Sequence, residues 1–119
     1  MRVFAKKALR LFWETPGQED AEGPLEWWFK NVSKWNVSWK KFAEVKAMFG
    51  SASIFKDCVI FNIGGNKYRL IVTIAYPHSV FVVQVLTHHE YDKGLWKDAC
   101  DCADQFHRQP RDGRKTKKD

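Results

Sequence analysis

The chain has 119 residues, one domain by length, and enough of them to bury roughly two-thirds of the unfolded surface. Its 45% hydrophobic and 15% aromatic content excludes a disordered chain, and no apolar run approaches the ~20 residues of a membrane span. The net charge of +6 is concentrated in the middle of the chain and favours a polyanionic partner.

Arg2 to Ala5 reads as a short strand running into a helix from Lys6 to Trp13, with Leu9, Phe12 and Trp13 inward. Lys6, Lys7 and Arg10 interrupt any apolar core there, so the segment is no secretory signal. Glu14 and the lack of serines argue against a transit peptide, and a cytoplasmic location is expected. Thr15 to Gly23 is a loop by composition. Pro24 suits the first turn of a second helix, on which Leu25, Trp28, Phe29, Val32 and Trp35 recur at helical spacing. Asn36 to Ser38 breaks that helix. Ser38 is expected to cap a third, which carries Phe42, Val45, Met48 and Phe49 and ends at Gly50. The aromatic stripes on these helices are expected to be core, not platforms for stacking bases.

From Cys58 the hydrophobic period changes. Cys58 to Ile63 and Tyr68 to Tyr76 flank Gly64-Gly65-Asn66, residues that tolerate positive φ, so a β-hairpin is predicted. The stretch from Ile63 to Lys67 is not a phosphate loop, because no helix follows whose N-terminus would receive the anion. Pro77 to Ser79 turns the chain into a third strand, Val80 to Thr87. Strands this apolar are covered on both faces or nearly so, and the preceding helices can cover one. The fold class is therefore α+β, with N-terminal helices packed on a small antiparallel sheet. Thr87 and Glu90 fit a capping box for a further helical turn, which puts His88 and Tyr91 on one face. Beyond Trp96 the pattern degrades, and from Gln109 onward disorder is expected.

The charge is bipolar. Between residues 30 and 69 eight Lys and Arg face only Glu44 and Asp57, whereas residues 14–26 carry five acids and no base. Either the middle of the chain is a nucleic-acid surface, or its helices simply present lysines to solvent. Cys58, Cys100 and Cys102 make a poor disulfide framework: the number is odd, and the last two are too close for an ordinary bridge. Cys58 is expected to behave as a small buried hydrophobe. No pair among His78, His88, His89, Cys100, Cys102 and His107 has the spacing of a common zinc site, so neither a metal nor another cofactor is expected.

The polar groups at the margins of the strands form the one constellation with chemistry. Lys67 and Arg69 follow the hairpin turn, and His88, Tyr91 and Lys93 follow the last strand, whose antiparallel pairing can bring Arg69 near His88. Cleaving RNA without a metal needs three things: a base for the ribose 2′-OH, a cation for the phosphorane-like transition state and an acid for the departing 5′ oxygen. Histidine titrates near neutrality, tyrosine can serve beside cations, and arginine clamps phosphate in bidentate fashion. By spacing alone, Arg69 is equally readable as a strand residue and His88 as a helix-end histidine.

Four blocks, in order, carry a family resemblance: MRVFAKKAL, VKAMFGSASIFKD, VIFNIGGNKYRLIV and THHEYDK. Over residues 1 to about 94 the chain resembles the HigB-type toxins of bacterial toxin–antitoxin pairs, within the RelE-like superfamily of mRNA interferases. The resemblance implies a toxin domain over residues 1–94 with a C-terminal extension over 95–119. It implies a RelE-like, microbial-ribonuclease-like fold and metal-free endonucleolytic cleavage of mRNA on the translating ribosome. The implied partner is a HigA-type helix-turn-helix antitoxin, through which alone DNA is contacted; no membrane is involved.

Carried over by position, Arg69 is the transition-state clamp, and His88 and Tyr91 share acid, base or stacking duties, with their roles left open. Lys46, Lys56, Lys67 and Lys93 are the expected RNA-binding residues. A non-catalytic RNA-binding module of the same fold stands as the alternative, and a structural zinc site as a further one.

Overall fold

The computed structural model describes residues 1–4, 6–98 and 100. Its centre is a five-stranded sheet in the order β1-β5-β4-β3-β2. The hairpin of β3 (Cys58–Ile63) and β4 (Tyr68–Ala75) runs antiparallel in the register Ile63↔Tyr68 to Cys58↔Thr73. Gly64 and Gly65 close it at φ 63° and 71°, the left-handed region that glycine enters without steric cost. Strand β5 (Ser79–Thr87) returns antiparallel to β4, with a bulge between Ile71 and Val72.

Two strands depart from the sequence reading. Strand β1 (Arg2–Phe4) pairs in parallel with β5, so the sheet is mixed and not purely antiparallel. That pairing joins residues 77 positions apart, Arg2 with Ser79, and local pattern carries no trace of it. Strand β2 (Ser53–Phe55) was not expected at all; it pairs with β3 through a tight turn at Lys56, whose φ is 53°. Three residues, two of them exposed, are too few for alternation to register.

Helices cover one face of the sheet. They are α1 (Lys6–Trp13), α2 (Glu22–Val32) and α3 (Phe42–Met48), with a 3-10 turn at Glu19–Ala21 inside the expected loop. Leu9, Trp13, Leu25, Trp28, Val32 and Val45 meet Val59, Phe61, Ile63, Tyr68, Leu70 and Val72 in one core. Period-2 geometry sends the alternate strand residues to the other side. The aromatic stripe is core in part only. Trp28 is buried, but α2 ends at Val32, and Trp35 beyond it is 94% exposed. Ser38 does not cap α3 either: its hydroxyl donates to the Pro77 carbonyl, and Lys41 is the N-cap. Glu44 reaches back to accept from the Lys40 backbone N–H at 2.9 Å, which orders the entry to α3.

The second face carries a smaller core of Cys58, Ile60, Ile71 and Leu86, closed by Trp96 and Cys100. Cys58 is bonded to Cys100 across 42 residues, which corrects the expectation of an unbridged, merely hydrophobic Cys58. After Gly94 the chain folds back over the sheet and brings the two Cα atoms to 5.7 Å, within bridging range. Sequence spacing has no access to that return. The expected disorder from Gln109, together with Cys102 and His107, lies outside the described residues. Among the described residues no helix is long and apolar enough to cross a membrane.

Candidate active site

The short helix α4 (His88–Lys93) is held at both ends by groups the sequence made visible. Thr87 Oγ1 accepts from the Glu90 N–H at 3.1 Å, and Glu90 Oε1 accepts from the Thr87 N–H at 3.0 Å, a complete capping box. The His88 N–H donates to the Lys67 carbonyl at 3.1 Å, tying the helix to the start of β4. Gly94 ends it in the left-handed conformation, at φ 77°. The segment bearing His88 and Tyr91 is thereby fixed against the end of the hairpin.

Arg69 leaves β4 on the face away from helices α1 to α3, paired across to Asn62 and Leu86. Its guanidinium carbon lies 5.2 Å from the centre of the Tyr91 ring, a cation–π contact. Nη1 donates to the carbonyls of Asn66 and Tyr68, each at 3.2 Å, and Nη2 to Asn66 Oδ1 at 3.4 Å. Arg69 is only 9% exposed, so in this conformation its donors serve the hairpin loop. The Tyr91 ring stacks in turn on Trp96, with centroids 5.1 Å apart and planes 8° from parallel. Trp96 Nε1 donates to the Tyr91 carbonyl at 2.9 Å, and its ring meets Phe55 edge-on at 5.3 Å.

His88 sits one turn before Tyr91, with its side chain about half exposed. Its Nδ1 lies 3.1 Å from Asp92 Oδ2. A carboxylate on Nδ1 fixes the ring and leaves Nε2 as the nitrogen available for proton exchange. Neither Asp92 nor Asn66, expected only as a turn residue, was among the candidate site residues of the sequence. The i,i+4 spacing of His88 and Asp92 on a helix was a usable signal; the Asn66 contacts were not, because they depend on the turn.

The lysines are more dispersed. Lys67 forms an ion pair with Asp20, and the Tyr68 hydroxyl donates to the other oxygen of that carboxylate. The Lys67 and Tyr68 bonds hold Asp20 below its ordinary pKa, and the Asp20 bond with burial pushes Tyr68 from 10.0 to about 12. Lys46 Nζ donates to the Ala52 carbonyl at 2.8 Å, beneath α3. Lys56 sits at the β2–β3 turn, at the other end of β3 from Asn62, with Nζ 5.7 Å from the Phe55 ring centre. Lys93 is exposed in the last turn of α4. The structure thus brings Arg69 and Tyr91 together at one end of the sheet, with His88 and Lys93 on the same short helix as Tyr91 and the Lys67 ammonium turned to Asp20. It sets Lys46 and Lys56 apart from them.

An apolar groove of about 280 Å³ lies elsewhere, lined by Pro24, Trp27, Trp28, Phe49, Asn62, Ile63 and Gly64. It holds no titratable side chain, so the chemistry is assigned to the Arg69 end. Among the described residues, no group of three His, Cys, Asp or Glu is placed to hold a metal ion.

Comparison with curated proteins finds no match. Residues 21–94 match the family model described as HigB_toxin, RelE-like toxic component of a toxin-antitoxin system. The match spans α2 through α4 and includes the whole hairpin, Arg69, His88 and Tyr91, while β1, α1 and the Trp96–Cys100 return lie outside it. The mixed sheet with helices on one face suits that family. This chain belongs to the HigB toxin family, and as the toxic half of a toxin–antitoxin system it has an antitoxin for a partner.

Proposed function

We propose that the protein is an endoribonuclease that cleaves translated mRNA without a metal ion and so arrests protein synthesis. The observation that carries this reading is the meeting of Arg69, on β4, with Tyr91 at 5.2 Å, Tyr91 lying on the same short helix that presents His88 with its Asp92 partner. Those groups match the needs of 2′-OH-driven cleavage. One of His88 and Tyr91 takes the ribose 2′ proton while the 2′ oxygen attacks phosphorus. Arg69 neutralises the pentacoordinate phosphate, and the second group protonates the 5′ oxygen as its bond to phosphorus breaks. The products are a 2′,3′-cyclic phosphate and a 5′-hydroxyl end, and no oxidant, reductant or metal enters the balance.

Ribosome dependence and a HigA-type antitoxin belong to the same proposal and rest on family membership. Lys93, on α4, and Lys67, once released from Asp20, would meet RNA backbone near the scissile bond. Lys46 and Lys56 would contact backbone or ribosomal RNA further along.

One observation favours a second reading, a non-catalytic RNA-binding module. Arg69 is nearly buried, and its donors are committed to Asn66 and Tyr68. Expression in bacteria separates the two. A nuclease arrests growth and generates new 5′ ends in translated messages, and Arg69→Ala or His88→Ala relieves the arrest. A binder protects messages without new ends. Undiminished toxicity in both variants defeats the assignment of the site.

A further inference from the structure

The sheet face that bears Arg69 is roofed by Tyr91, within the family match, and by Trp96 and Cys100 beyond it. Trp96 lies behind Tyr91, Tyr91 covers the Arg69 guanidinium, and Cys100 is bonded to Cys58 on the strand below. Arg69, at 9% exposure, cannot hold a phosphate oxygen in this arrangement. The roof itself is slight. After Gly94 its described part is a short helical segment over residues 96–98 and 100, entered with the Lys97 N–H on the Gly94 carbonyl at 3.2 Å and the Asp98 N–H on that of Leu95 at 3.3 Å. Among the described residues beyond Gly94, Leu95, Lys97 and Asp98 are exposed, and Trp96 and Cys100 pack inward. A short helical segment anchored to the sheet by few buried side chains belongs to the low-stability end of a fold, unless something pins it. The covalent bond is that pin.

We propose that the Cys58–Cys100 disulfide is a thiol-responsive latch, holding the Tyr91–Trp96 stack over Arg69 when oxidised and releasing it when reduced. The proposal deepens the nuclease reading, because it rests on Arg69 being the group that meets phosphate. It also removes the tension between a phosphate clamp and a buried guanidinium: the structure is the latched state. The reductant is a dithiol. One of its thiolates attacks a sulfur of the bridge, forming a mixed disulfide as the Cys58–Cys100 bond breaks, and its second thiol displaces the protein sulfur. Two electrons and two protons leave the dithiol, which becomes a disulfide, and Cys58 and Cys100 become thiols. Both sulfurs are buried, so attack follows local opening of the turn and is slow compared with an exposed bridge. Disulfides in reducing compartments are mostly of this reversible kind.

The test uses the full-length protein with Cys102→Ser, which excludes exchange with the third cysteine. Phenylglyoxal modification of Arg69, followed by peptide mass spectrometry, reports exposure of the guanidinium independently of any cleavage. Modification of Arg69 is expected to be at least about tenfold faster after dithiothreitol than in the oxidised protein, as local opening exposes the side chain. Cys58→Ser should react at the reduced rate without reductant. Trp96→Ala should react fast with the disulfide intact, which shows that the roof, not the bond itself, shields Arg69. Message cleavage should rise in the same order. Equal Arg69 reactivity in oxidised and reduced protein overturns the latch, as do a bridge that dithiothreitol cannot break and faster cleavage by the oxidised form. If Arg69 opens on reduction yet no form cleaves RNA, the latch stands and the nuclease reading falls.

Discussion

Arg69 and Tyr91 meet at 5.2 Å although 22 positions separate them in the chain, and each is fixed by a different device. The hairpin register sets Arg69 opposite Asn62 and Leu86, and the Thr87–Glu90 capping box sets the start of the helix that carries Tyr91. Their meeting joins two locally determined elements at the candidate site.

Arg69→Ala is expected to lower cleavage by ~10²–10³, the usual loss when one transition-state donor is removed. Arg69→Lys should not restore it, because a lysine ammonium replaces neither the planar fork nor the pair of loop bonds. Single-turnover cleavage of a translated message, measured beside thermal melts, separates lost chemistry from lost fold.

Asp92→Asn tests the orientation of His88. The carboxylate on Nδ1 fixes one tautomer, and the amide allows the other. His88→Ala should cost ~10²–10⁴ in rate, the range of one general acid or base, and Asp92→Asn a smaller part of it with substrate affinity unchanged. An Asp92→Asn protein that cleaves at the wild-type rate removes Asp92 from the site.

The Asp20, Lys67 and Tyr68 cluster gives a pH dependence with a sign at each end. Asp20 is depressed, so its contribution to stability is present above the ordinary carboxylate range and lost as pH falls through the folded value. Tyr68 is raised to about 12, so its contribution is present below 10.0 and lost as pH climbs towards 12. Asp20→Asn should bring the Tyr68 titration back towards 10.0, as read by ultraviolet difference absorbance. The same change frees the Lys67 ammonium and should steepen the salt dependence of RNA binding.

Thr87→Ala removes the side-chain half of the capping box and should cost about 1 kcal/mol in urea unfolding. Because α4 carries both His88 and Tyr91, cleavage should fall further than that stability loss alone explains. Thr87→Ser should restore both.

Reduction of the Cys58–Cys100 bridge opens a loop closed over 42 residues, worth about 4 kcal/mol by chain entropy alone. Urea unfolding of oxidised and reduced protein should differ by roughly 2–4 kcal/mol, with the larger loss in the C-terminal turn. No difference would mean that the bridge constrains nothing in the unfolded chain.

What the sequence made legible was local. The glycine turn, the paired apolar strands and the Thr87–Glu90 box each depend on a few neighbouring residues, and each stands where it was expected. That β4 would bring Arg69 near the segment carrying His88 and Tyr91 was legible from hairpin pairing, whereas its role as a clamp came from the family resemblance alone. Long-range partners were not legible. The parallel pairing of β1 with β5, the Cys58–Cys100 bridge and the Trp96 roof each join segments whose contact is decided by packing of the whole chain. Trp35 failed for the opposite reason: it keeps helical spacing with Trp28 and Val32, but the helix stops before reaching it. Periodicity identifies a face only while the backbone continues to turn.

The chemical ends of the RNA test the site most directly. Reduced protein, incubated with ribosomes translating a defined message, should leave 5′-hydroxyl and 2′,3′-cyclic phosphate ends, and Arg69→Ala and His88→Ala should leave the message whole. Fragments with 5′-phosphate and 3′-hydroxyl ends, or identical ends from both variants, would contradict a metal-free site built on Arg69, His88 and Tyr91.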